Sequence, residues 1–174
     1  MKTTVALIFF AVSAFAQLAP PQSSPQPACG AVGVSFDAAT SSPFEPPSKP
    51  ESGKALVYVV EDTPWSAEAI GAPTIKVGVD GNWVGATRGR SHLYFTVDPG
   101  EHHLCINWQS HWKAFSKFVS FAHVVAEPGK TYYFRARATY YSRSPMYLDL
   151  DAIDSDEGEY LVASSQPSTA QRKK

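Results

Sequence analysis

The chain predicts an all-β fold: an antiparallel β-sandwich of about seven strands, with one short helix near the C-terminus. Two observations predict it. Between about residues 53 and 162 apolar and polar residues alternate with period two, the repeat of a half-buried strand. Turn-forming clusters also punctuate these runs at short intervals, as in sandwiches.

The elements follow in order. Lys54–Val60 is a β-rich run, Lys-Ala-Leu-Val-Tyr-Val-Val. Thr74–Val79 alternates Ile75, Val77 and Val79 with Thr74, Lys76 and Gly78. Asp80-Gly81 follows, with Trp83-Val84-Gly85 beyond it. This predicts a hairpin, because both central residues of a type I′ turn need positive φ. Ser91–Val97 puts Leu93, Phe95 and Val97 on one face, and Asp98-Pro99-Gly100 is a turn by composition. His102–Trp108 points Leu104, Ile106 and Trp108 one way and His103, Cys105 and Asn107 the other. Lys117–Val125 and Thr131–Tyr140 flank a Glu127-Pro-Gly-Lys130 turn. In the second of these strands Tyr132, Phe134, Ala136 and Ala138 face inward. Met146–Ile153 adds Leu148 and Leu150 to the core, with Asp149 and Asp151 outward. Asp154 or Ser155 caps a helix to about Ala163, with Asp156 and Glu157 favourable at its positive end.

The ends differ in character. Residues 1–16 have a positive start, an apolar core over Val5–Val12 and an Ala14-Phe15-Ala16 cleavage site. That is the pattern of a cleavable signal peptide, and the apolar run is shorter than the roughly 20 residues of a membrane-spanning helix. Residues 17–52 hold eight prolines and read as a spacer arm, since proline lacks a backbone donor and favours extended chain. Residues 163–174 read as a disordered polar tail, which leaves 53–162 as the folded domain. Cys29, preceded by Gln26-Pro27-Ala28 and thirteen residues past Ala16, makes a poor lipid-attachment site. Soluble export to the periplasm or medium is the expectation.

Cleavage removes Lys2 from the 15 basic residues and leaves 14 against 16 acidic ones. Such a balance argues against nucleic acid as a partner, which demands a basic stripe. In an oxidising compartment Cys29 and Cys105 predict a disulfide, worth about 4 kcal/mol through its long loop. With Cys105 on the outer face, the bond would staple the proline-rich arm across the sheet.

Three stretches share a rhythm: Val77-Gly-Val-Asp-Gly-Asn-Trp-Val-Gly85, Phe95-Thr-Val-Asp-Pro-Gly-Glu-His-His-Leu104 and Glu127-Pro-Gly-Lys-Thr-Tyr-Tyr-Phe134. In order and spacing they resemble the bacterial domain of unknown function 2846 family, over about residues 54–162. The first half is also similar to PEGA-type β-sandwich domains, with Asp98-Pro-Gly-Glu101 at the corresponding turn. The resemblance implies an Ig-like or PEGA-like envelope sandwich with no established activity and no catalytic residues to transfer.

The residues themselves carry little chemistry. Among the five histidines, His92 and His103 come together only if their strands pair as a hairpin, and two ligands fall short of a zinc site. No G-x-S-x-G elbow is present. Asp149 and Asp151 are two apart on one face, as are Arg135 and Arg137, so cross-strand ion pairs account for all four better than a glycosidase dyad does. The binding candidates are two aromatic stretches: Trp108, His111 and Trp112, together with Tyr140, Tyr141 and Arg143. Such side chains suit sugar stacking or protein recognition. The expectation is a non-enzymatic binding or structural module of the cell envelope, without cofactor or metal, its partner an envelope protein or a polysaccharide. The other class is a carbohydrate-active or peptidase accessory enzyme working from the histidine and carboxylate face. That class requires His103, Asp149 and Trp112 to converge in one cleft.

Overall fold

The computed structural model describes residues 28–41, 47, 49–63, 72–111, 113–141 and 144–174, with residues 140, 141 and 144–146 described by their backbone alone. The expected signal peptide and the first part of the arm lie outside the described residues, as do Trp112 and Arg143. The elements are β1 (Phe36–Thr40), β2 (Ala55–Glu61), β3 (Thr74–Val79), β4 (Asn82–Arg88), β5 (Ser91–Val97) and β6 (Gly100–Gln109). After a 3-10 turn at Phe115–Lys117 come β7 (Val119–Ala126), β8 (Thr131–Tyr141), β9 (Ser144–Ile153), helix α1 (Ser155–Ser164) and β10 (Gln166–Arg172).

The strands form two sheets, β1-β10-β5-β2-β8-β9 and β4-β3-β6-β7. Their inner faces share one core. Ala55, Val57 and Val59 of β2 and Phe134, Ala136 and Ala138 of β8 meet Ile75 and Val77 of β3 and Leu104, Ile106 and Trp108 of β6. The alternation in the sequence therefore reads correctly onto the faces. β2 is buried along its whole length, because it lies between β5 and β8 with the core on one side and α1 on the other. Its outer residue Tyr58 stacks on Tyr133 at 5.4 Å, and burial pushes the Tyr58 hydroxyl up to about 12.

The Asp80-Gly81 turn has positive φ at both central residues, +48° and +79°, as the β3–β4 hairpin requires. Helix α1 starts where its cap predicts: the Asp154 side chain accepts from the Glu157 amide at 2.9 Å. Gly158 seats the helix on the sheet, since a Cβ there would fall 2.2 Å from Cγ of Tyr133.

Four expectations need correction. There are ten strands among the described residues rather than about seven. The six-stranded sheet is mixed, because β2 runs parallel to β8 and β10 parallel to β5. The supposed polar tail is β10, paired with β1 from Phe36↔Arg172 to Thr40↔Ser168. So part of the presumed spacer arm is a strand as well. The expected turn at Asp98-Pro99-Gly100 carries the chain from one sheet to the other, so the condition for His92 to meet His103, a β5–β6 hairpin, is not met. His92 faces out beneath α1 while His103 lies on the outer side of the other sheet, so the two histidines are kept apart.

Candidate functional site

The Cys29–Cys105 disulfide fastens the arm to the outer face of the four-stranded sheet, with the two Cα atoms 5.1 Å apart. Gly30 is required at the crossing, since a Cβ would stand 2.4 Å from the Trp83 ring. The Trp83 indole N–H donates to the Ala31 carbonyl at 2.9 Å, and Lys76 donates to the Val34 carbonyl at 3.0 Å. The Lys76 ammonium also lies 4.2 Å from the Trp83 ring centroid, a cation–π contact. Burial pulls the Lys76 pKa down. Beneath the arm Phe36, Ala38, Trp83, Ala86 and Cys105 form a second, smaller core.

Where the arm becomes β1, one side chain of β6 bridges to its backbone. The Phe36 N–H donates to Oε1 of Gln109, and Nε2 of Gln109 donates to the Phe36 carbonyl, both at 2.7 Å. The carboxamide thus takes the place of a neighbouring strand's peptide group. At the C-terminal end the Lys173 amide donates to the Ser35 carbonyl, and its ammonium pairs with Asp37, each at 2.9 Å.

This clamped arm is one wall of a groove of about 800 Å³ at the end of the sheets. Ala72–Thr74 and Arg88 stand opposite, and Trp108 and Phe115, stacked at 5.3 Å, form the apolar lining. Gln109, His111 and Lys173 complete its polar rim. The size is that of a small-molecule or short-oligomer site, and an apolar lining with a few polar groups around it is the usual construction.

The candidate residues are distributed unevenly. Trp108 is 6% exposed and belongs to the core, as its strand parity with Leu104 and Ile106 requires, so it is no exposed loop residue. Its ring nevertheless borders the groove. His111 is exposed on the rim. Tyr140 and Tyr141 end β8, while Trp112 and Arg143 lie outside the described residues. No sequence motif marks Arg88, Gln109 or Lys173. Lys173 stands in a stretch whose composition is that of a polar tail, and nothing local marks Gln109 as a clamp.

His103 and Asp149 are not brought together. His103 is on β6 of one sheet and Asp149 on β9 of the other. Arg135 does stand opposite Asp151 and Arg137 opposite Asp149, yet the guanidinium groups turn elsewhere. Arg135 pairs with Glu157 of α1, and Arg137 with Asp62 at 2.7 Å. Among the described residues no three His, Cys, Asp or Glu side chains are grouped as metal ligands. Also among the described residues, no helix is long and apolar enough to cross a membrane.

No curated protein and no solved structure matches the chain. The profile of a family of proteins of unknown function, DUF2846, matches residues 51–148. That span, more than half of the chain, runs from just before β2 into β9. The arm, α1 and β10 lie outside it, so the groove joins walls contributed by the family core to walls that are not. With its hairpin, its sheet-to-sheet turns and this match together, the chain belongs to the DUF2846 family.

Proposed function

We propose that this protein is an exported β-sandwich module of the cell envelope that binds, without catalysis, a sugar chain in the groove beside the clamped arm. The observation that carries the reading is the groove itself, with Trp108 and Phe115 lining it and Arg88, His111 and Lys173 around it. Sugar rings present apolar C–H faces to aromatic side chains and hydroxyls to such donors. The Cys29–Cys105 bond favours an oxidising compartment, where disulfides persist. It also holds one wall of the site in place before ligand arrives, which lowers the ordering cost of binding.

The test uses the mature chain from Gln17 and purified cell-wall glycan, with co-sedimentation as the readout. Saturable binding is expected. Arg88→Ala and His111→Ala should each weaken it about tenfold, equivalent to ~1.4 kcal/mol, while the melting temperature stays unchanged. Binding that is absent, or that is indifferent to both substitutions, refutes the reading. Export is checked separately, by fractionating cells and sequencing the N-terminus of the processed protein.

A further inference from the structure

β7 is the last strand of its sheet, and it lacks the usual safeguards of an edge. Its sequence, Val-Ser-Phe-Ala-His-Val-Val-Ala, contains no lysine, no other permanently charged residue and no proline. Its outer face is apolar and open: Phe121 and Val125 are each 63% exposed, and Val119 is exposed beside them. The described part of the arm meets this sheet at Cys105, opposite Phe121, and the exposure of Phe121 and Val125 leaves the stripe uncovered among the described residues.

The backbone is oriented to match. Trp108 of β6 donates to the Phe118 carbonyl at 3.2 Å, so the even-numbered residues of β7 turn their peptide groups toward β6. By the alternation of an antiparallel ladder, those of Val119, Phe121, His123 and Val125 point to the other side, where no described strand pairs. β9 comes close on the inner side, its Leu150 N–H donating to the inward Ser120 hydroxyl at 3.2 Å.

We propose that β7 is the seam of a homodimer, in which two copies join edge to edge, antiparallel, about a two-fold axis at Ala122. The pattern is self-complementary, as a two-fold contact requires. Phe121 faces the second copy's His123, and Val119 faces its Val125. Exposed Lys117, five residues before Ala122, meets exposed Glu127, five residues after it. All the strand positions so matched are odd-numbered, the set with free peptide groups, and the two four-stranded sheets become one of eight. A second copy is favoured over a foreign strand because the two-fold register itself sets Lys117 opposite Glu127 at both ends of the seam.

Sedimentation velocity on the mature chain, from about 1 to about 200 µM, tests the proposal through the concentration dependence that a reversible dimer shows. A monomer–dimer equilibrium is expected, and Phe121→Lys should abolish it. Lys117→Glu and Glu127→Lys should each weaken the dimer severalfold, and the double exchange should restore it, because only paired charges behave so. Both charge sites lie off the strand, so they remain informative if Phe121→Lys disturbs folding. A wild-type protein that is monomeric throughout overturns the proposal. So does a dimer that none of these substitutions weakens.

Discussion

His102 has both ring nitrogens occupied by acceptors: Nδ1 faces Asp80 at 2.5 Å and Nε2 faces the Asp98 carbonyl at 2.7 Å. Only the imidazolium can donate to both. Burial opposes the charge, but the hydrogen bonds to Asp80 and Asp98 outweigh it, and the pKa rises above 6.5. Asp80 is likewise opposed by burial, yet its bonds to His102 and the His103 amide bring its pKa below 3.8. The signs then follow from linkage. The His102 contribution is complete below pH 6.5 and is lost as pH rises through its raised value. That of Asp80 is present above 3.8 and is lost as pH falls through its lowered value. His92 acts in the opposite sense to His102. It is buried, with Nδ1 2.9 Å from the Ser165 hydroxyl, and burial lowers its pKa. Its contribution is therefore present above 6.5 and lost as pH falls through the lowered value. His102→Gln should cost about 1–2 kcal/mol at pH below 6.5, and the difference from wild type should close on the alkaline side. Urea unfolding across a pH series reads this directly, and a gap that does not change with pH contradicts it.

At the scale of elements, β1 and β10 are strands that composition does not announce. Phe-Asp-Ala-Ala-Thr and Gln-Pro-Ser-Thr-Ala-Gln-Arg carry few of the β-branched and aromatic residues that mark a strand. They are held by mutual pairing, by the two-residue ladder to β5 and by the Gln109 carboxamide. Gln109→Leu should leave the Phe36 N–H and carbonyl without partners, at a cost of about 1–3 kcal/mol. Hydrogen exchange at the Phe36 amide should rise strongly while β2 remains protected, since β2 is fixed by both its neighbours. Equal exchange in the two proteins would show that Gln109 does not hold the arm. By contrast β3, β5, β8 and α1 were legible almost to the residue. Each carries its own local code: alternation for the strands, and for α1 a carboxylate cap with acidic residues in the first turn.

For the molecule as a whole, the disulfide ties the arm to the sheet across 76 residues of chain. Replacing both cysteines by serine should lower the unfolding free energy by about 4 kcal/mol, the chain-entropy contribution for a loop of that length. Glycan binding should fall with it, because a looser arm gives the groove a mobile wall. A double variant as stable as the wild type would mean that pairing of β1 with β10 and Gln109 suffices. Residue type and order alone specify the inner faces of the strands, the Asp80-Gly81 hairpin, the helix cap, the cysteine pair and the family. All of these depend on residue type and short-range spacing. Long-range packing sends the β5–β6 turn from one sheet to the other, which separates His92 from His103. It alone turned Arg135 and Arg137 away from Asp151 and Asp149, and folded the polar tail back as a groove wall. Those outcomes depend on which backbone edges and side chains meet across long separations in the chain, and local alternation specifies the face of a strand without specifying its neighbour.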